Sequence, residues 1–164
     1  MIRLGFTYDL ATRSKATGLL LSRAYAKNRV PVEGLNDIAN AYLKAGAAPA
    51  TLYIGLWSGA HIPDGTETAA TLASLVTEVT DYSQAARLPL VLGTVTDGHC
   101  NNAASLGRFD MLANGTVNGM FLSTVQAKGA ATGKLLSVVR FANPRAVDET
   151  VYLETLTGFQ LISL

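Results

Sequence analysis

Reactive side chains are scarce in this chain: one cysteine, two histidines and one tryptophan stand among 164 residues. With Cys100 as the single thiol, an intrachain disulfide and a thiolate metal cluster within one chain are both excluded. A lone thiol also suits assembly in a reducing cytosol. Charge is sparse as well, at 15% of residues, where soluble domains carry about 25%. A subunit packed among other subunits tolerates such a surface. No run approaches the ~18 apolar residues of a membrane span. Ala24-Tyr25-Ala26 has the form of a signal cleavage site, and basic residues precede it. The apolar core before it is only Leu19-Leu20-Leu21, short of the ~7–15 residues that a signal peptide needs. An organelle transit peptide, which the same Arg- and Ser-rich start resembles in composition, is the minor reading. A soluble protein is expected, and its length suits one core built without staples.

What charge there is lies unevenly. Residues 1–30 hold Arg3, Arg13, Lys15, Arg23, Lys27 and Arg29 against Asp9 alone, an excess of five positive charges. The remaining residues hold seven basic and eleven acidic side chains, an excess of four negative charges. Residues 1–33 show no clear amphipathic repeat, and Val30-Pro31-Val32 reads as extended linker because proline disfavours helix before it. The expectation is therefore an extended basic arm over 1–33, with a short strand at Ile2–Tyr8 and a helical turn near Thr17–Ala26. Residues 34–164 then form the folded domain. The six cations are the expected partner-binding residues. Docking onto an acidic protein surface accounts for them better than nucleic acid, since only Phe6, Tyr8 and Tyr25 interleave with them.

Beyond the arm, Leu35, Ile38, Ala39, Tyr42 and Leu43 recur at helical spacing on one face. Asp37 in the first turn and Lys44 in the last match the helix dipole, with Gly46 as the expected left-handed cap and Pro49 as the stop. Leu52, Ile54 and Leu56 then alternate with Tyr53, Gly55 and Trp57, so both faces are apolar and the strand is central. Gly59–Thr66 is a loop, Thr68–Leu75 a short helix with Ala69, Leu72 and Ala73 inward, and Val76–Val79 and Leu88–Leu92 are strands. Pro89 places the last of these near an edge. Four β-type runs close the chain: Arg108–Leu112, Thr116–Val125, Lys134–Ala142 and Thr150–Ser163. Turn signals separate them at Ala113–Gly115, Lys128–Gly133 and Asn143–Arg145. The class that follows is mainly β: an antiparallel sandwich or jelly roll with one N-terminal helix packed against a sheet or an end.

Catalytic patterns are thin. Asp97, His99 and Cys100 do not have the spacing of a zinc set, and neighbouring strand residues point to opposite faces. Ser58 and His61 lack the G-x-S-x-G elbow of a nucleophile. Glu78 and Asp81 stand three apart at a strand end, where a surface role outweighs a glycosidase pair. Lys128–Gly133 contains glycines but no G-x-x-x-x-G-K-[ST], so it reads as a hairpin turn rather than a phosphate loop. Trp57, the one tryptophan, falls in a core strand and offers no sugar platform. No enzyme, cofactor or metal is expected.

Several stretches in order carry a resemblance: Gly34-Leu35-Asn36-Asp37-Ile38-Ala39-Asn40, Leu52-Tyr53-Ile54-Gly55-Leu56-Trp57, Glu78-Val79-Thr80-Asp81-Tyr82-Ser83 with Arg87, Asn118-Gly119-Met120-Phe121-Leu122, Gly133-Lys134-Leu135-Leu136 and Phe141-Ala142-Asn143-Pro144-Arg145. Together they resemble small structural proteins of tailed bacteriophages, some of them capsid cement (decoration) proteins and others tail or fibre components. The resemblance spans about residues 34–163 and leaves the basic segment outside it. Asp148-Glu149 departs from the Gly-Asp turn that often precedes the last strand in that group. The resemblance implies a β-sandwich or jelly roll in the virion, assembled in the host cytoplasm, with no cofactor and no catalytic residues to carry over. Its expected partners are the major capsid protein and further copies of itself, with nucleic acid and membrane outside the set. The alternative within the group is a tail or fibre-base component.

Overall fold

The computed structural model describes residues 2–28 and 30–163, with side chains described for 4–28 and 30–161. Among them ten strands and two helices follow in order: β1 (Ile2–Ser14), β2 (Leu20–Lys27), α1 (Val32–Leu43), β3 (Leu52–Ser58), α2 (Ala69–Leu75), β4 (Thr77–Val79), β5 (Leu88–Leu90), β6 (His99–Asn101), β7 (Gly107–Asp110), β8 (Gly115–Ser123), β9 (Leu135–Val147) and β10 (Val151–Ser163). They form two antiparallel sheets of five strands. Sheet A runs β2-β1-β10-β6, with β7 also on β10, and sheet B runs β4-β3-β8-β9, with β5 also on β3.

The first correction concerns the N-terminus. Residues 2–14 are not an arm: β1 pairs with β10 along its whole length, from Ile2 opposite Ser163 to Ser14 opposite Val151. The expected helical turn at 17–26 is instead β2, which returns along β1 as a hairpin. The reason is a period-two pattern that the charges obscure. Phe6, Tyr8, Leu10 and Thr12 face inward and are buried, while Thr7, Asp9, Ala11 and Arg13 between them face out. Tyr8 Oη crosses the core to donate to Ser137 Oγ of β9 (2.6 Å). Asn28 Nδ2 donates to the same oxygen, and Asn28 Oδ1 accepts from the Phe6 amide. The first thirty residues thus share one core with the rest: Phe6, Tyr8, Leu10, Phe109 and Leu153 of sheet A meet Ile54, Leu56, Met120, Leu122, Val139 and Phe141 of sheet B.

Sheet B is apolar on both faces, as the β3 pattern requires. On its outer side Trp57, Phe121, Leu135 and Val138 pack under Ala69 and Leu72 of α2. Trp57 Nε1 donates to the Val139 carbonyl (3.1 Å), and Gly119 makes room for the ring: a Cβ there would lie 2.4 Å from it and 2.0 Å from the Val139 oxygen.

The helix expected near the N-terminus corresponds to α1, but its packing differs. Only its first turn docks. Gly34 lies against the backbone of Leu135 and Leu136, where a Cβ would come within 2.9 Å. The Glu33 carboxylate accepts from the amides of Ala69 and Leu135, both at 2.8 Å. The expected inner stripe stays in solvent, with Leu35 44%, Tyr42 88% and Leu43 75% exposed. The left-handed residue after the helix is Ala45 (φ 52°) rather than Gly46. Two further expectations shift. His99–Asn101, expected in a loop, forms β6, and β9 runs on through Pro144, which its edge position in sheet B tolerates. Among the described residues no helix is long and apolar enough to cross a membrane.

Deleting residues 1–30 is expected to abolish folding. Truncating a buried Phe costs about 3–5 kcal/mol and a buried Leu about 2–5, so losing Phe6, Tyr8 and Leu10 with a central strand exceeds a typical stability of about 5–15 kcal/mol. Circular dichroism and thermal melting check this: a cooperative transition in the deletion would show the remaining residues to be self-sufficient.

Candidate functional site

A concavity of about 330 Å³ opens on the outer side of sheet B between α2 and the loop joining β8 to β9. Its position follows from local chemistry. Thr68 and Thr71 form a capping box that starts α2, and Leu72 turns in toward Trp57 and Phe121. Ala73, Val76, Ala130 and Leu135 are left as apolar walls. The charged wall is Arg87 with Glu78.

Arg87 is 3% exposed, and each of its donors is taken. Nε and Nη2 make a bidentate pair with Glu78 at 2.8 and 2.7 Å, and Nη2 also donates to the Ala130 carbonyl at 3.0 Å. Nη1 donates to the Val125 carbonyl (3.0 Å) and Ser123 Oγ (3.4 Å). The guanidinium lies 4.9 Å from the Phe121 ring centre. Glu78 additionally accepts the Gly129 amide at 2.7 Å. Beside this clamp Lys128 Nζ sits 3.7 Å above the Tyr82 ring and donates to the carbonyls of Thr80 and Tyr82. Burial pushes the Lys128 ammonium down in pKa, against the upward pull of Asp81 and Glu78. Burial also raises the Tyr82 phenol, with Glu78 adding to the rise. These groups bind the 124–134 loop to β4 and to the 80–87 loop. Among the described lining residues the charged pair Arg87–Glu78 is engaged within the chain, Thr77, Thr80 and Ser123 supply hydroxyls, and the apolar walls suit apolar side chains.

A second buried charge organises the 59–67 loop. Glu67, 1% exposed, accepts from the amides of Asp64 (2.8 Å) and Gly65 (2.9 Å) and is bonded to His61 Nε2 at 2.7 Å. Burial opposes its charge, but the backbone N–H groups of Asp64, Glu67 and Gly65 and the His61 ring hold the carboxyl below its ordinary value.

The residues singled out in the sequence are dispersed. Ser58 Oγ faces the Thr77 carbonyl while His61 is occupied by Glu67, so they form no nucleophile–base pair. His99 bonds the Asp97 carbonyl and Gln160, and Cys100 is buried, its thiol pushed up by burial. Among the described residues no three His, Cys, Asp or Glu side chains converge as metal ligands. Trp57 is fully buried.

Of the six cations, Arg13 pairs with Glu154, and Arg23 makes a bidentate pair with Asp9. Lys15 Nζ donates to the carbonyls of Met111 and Glu149. Lys27 is exposed, and Arg29 and the Arg3 side chain lie outside the described residues. Of the excess of five, among the described residues only Arg13 meets a carboxylate from beyond residue 30, since the Arg23–Asp9 pair lies within the segment. Sequence reasoning missed the anchoring roles of Glu33, Glu67 and Arg87, because only the fold brings their distant backbone partners within reach. Set beside known proteins, the chain matches no family model, no curated protein and no solved structure.

Two outcomes follow. Arg87→Met leaves Glu78 buried without its counter-ion and is expected to cost about 3–5 kcal/mol in denaturant unfolding; a loss under about 1 kcal/mol, the range of exposed pairs, would show the clamp to be peripheral. Glu67, with its folded pKa depressed, contributes stability that is present above its ordinary value of 4.5 and lost as pH falls through the lower folded value. Glu67→Gln should therefore be less stable than wild type at neutral pH, with the difference shrinking in acid. A constant difference from pH 7 to pH 3 would reject that linkage.

Proposed function

We propose that this chain is a non-enzymatic structural protein of a tailed-bacteriophage virion, a capsid cement protein that bridges and stabilises neighbouring major-capsid subunits. The observation that carries this reading is the uncovered stripe of α1. A helix whose spacing sets Leu35, Ile38, Tyr42 and Leu43 on one side is anchored at its first turn, by the Val32 amide, Glu33 and Gly34, leaving Ile38 half-buried and Leu35, Tyr42 and Leu43 exposed. Such a stripe gains free energy when covered, at roughly 25 cal/mol per Å² of apolar area. The low charge of the body and the internal engagement of Glu67 and Arg87 support a scaffold role in the same way. The resemblance over about 34–163 supplies the virion setting, assembly in the host cytoplasm, and the jelly-roll form of the two-sheet body.

With Arg13, Lys15 and Arg23 engaged inside the chain, docking falls on the α1 stripe rather than on the cations first expected to carry it, with Lys27 left as an exposed charge. The partners are the major capsid protein and neighbouring copies, and the paired cations argue against nucleic acid.

The test is stoichiometry in purified virions against the major capsid protein. A cement protein is present in numbers comparable to the capsid subunits, whereas a few copies per particle would move the chain to the tail or fibre base. Changing Leu35, Tyr42 and Leu43 together to Glu should then reduce capsid occupancy at least tenfold. Surface changes of this kind usually stay within about ±0.5 kcal/mol each, so the melting temperature should barely move. Unchanged occupancy would reject α1 as the contact.

A further inference from the structure

The outer faces of the two sheets are treated differently. Sheet B has α2 over it, while sheet A has no helix over the side on which β2, β1, β10 and β7 present their outward residues. That side is built in cross-strand rows. Tyr25, Asp9 and Leu156 form one row, and Arg23, Ala11, Glu154 and Arg108 form the next. Beyond them Leu20 stands opposite Arg13, which stands opposite Tyr152, itself opposite Asp110. A register shift at Thr12/Arg13 takes Leu21 out of the ladder. Leu19, Leu20 and Leu21 are left 65%, 50% and 58% exposed, with Tyr25 at 58% and Leu106 at 44%. Leu20, Leu106 and Leu156 share a shallow concavity of about 150 Å³ with Asp9, Arg13, Arg23 and Glu154.

Most charges on this face are paired. Arg23 is joined to Asp9, Arg13 to Glu154 and Arg108 to Asp110, and the Arg108 guanidinium lies 3.9 Å above the Tyr152 ring. Lys27, opposite Thr7, adds one exposed cation. A face with four cations and three carboxylates offers little net attraction to nucleic acid, to an anionic membrane or to a strongly charged protein. It is complementary to its own image: a two-fold rotation sets the arginines of one copy against the carboxylates of the other, with leucines between. The size also suffices. β1 and β10 contribute thirteen residues each, β2 eight and β7 four; at ~3.3 Å per residue and ~4.8 Å between strands they give a face on the order of 600 Å², the lower end of what a stable interface buries per partner.

We infer that this outer face of sheet A is the self-association surface of the protein, and that its occupant is the same face of a second copy. The inference concerns the purified chain and stands apart from the virion reading, so either can fail alone.

Analytical ultracentrifugation of the full chain tests it. Wild type should form a dimer at about 100 µM, since standard-size interfaces reach micromolar affinity or better. Leu20→Asp with Tyr25→Asp should remain monomeric there with an unchanged melting temperature. As a second arm, a chain carrying Arg13→Glu and Arg23→Glu is mixed with one carrying Asp9→Lys and Glu154→Lys. Each should be monomeric alone and the mixture heterodimeric. Monomeric wild type, or a Leu20/Tyr25 variant that dimerises like wild type, would overturn the inference. So would monomeric wild type that instead binds a DNA duplex or anionic vesicles, because another occupant would then hold the face.

Discussion

Sheet A is held by the pairing of the first strand with the last, and the rest of the structure depends on it. β1 and β10 are bonded in register over thirteen residues each. β2 hangs on the far side of β1, and β6 and β7 both hang on β10. Removing this central pair leaves three short pieces with no common partner and exposes the inner face of sheet B. The pairing joins residues more than a hundred positions apart, so loop-closure entropy must be met before it forms. The stretch between therefore has to supply its own order, which the β3, β8 and β9 ladders do.

Electrostatics follow from the same pairing. Read along the chain, positive charge gathers in the first thirty residues and negative charge beyond them. Read across the sheet, β10 carries Glu154 to Arg13, and Asp9 of β1 meets Arg23 of β2. These exposed pairs are each worth only about 0–1 kcal/mol, and they engage Arg13 and Arg23 within the sheet rather than leaving them free. The buried charges do different work. Glu33 accepts from the first amides of α2 and β9, while Glu67 and Arg87 gather backbone groups from loops. Losing any one of them strands several N–H or C=O groups at once.

Much of the chain beyond residue 50 was legible. The two-faced apolar pattern of 52–57 placed β3 inside a sheet, Thr68–Leu75 gave α2, and the last run gave β10, because these segments satisfy a single local period. Three features were not. β1 alternates as well as β10 does, but Asp9 and Arg13 on its outer side look like solvent-facing charges until β10 and β2 bring their counter-ions. Pro144 signals a turn when local preference alone is weighed, and only an edge position admits it to β9. The stripe of α1 is a sound helical pattern, and its exposure depends on what lies next to the helix, which its own residues do not encode. For the groove, the saturation of Arg87 by carbonyls from residues 125 and 130 was equally beyond local reading.

The long strands of the body are paired, yet apolar side chains remain exposed, and two groups of them each cluster on neighbouring positions of one element. One is the α1 stripe at the start of β9, and the other is the outer face of sheet A around Leu19–Leu21. A monomer that functioned alone would gain solubility by making either surface polar, at no cost to the core, because neither stripe packs inside it. Two surfaces on different elements also differ in kind. The stripe is narrow and nearly free of charge, whereas the sheet face is broad and carries both signs in paired rows. If both surfaces are occupied as proposed, one by a different protein and the other by a second copy, each contact raises the effective concentration for the other, and modest affinities at both would suffice.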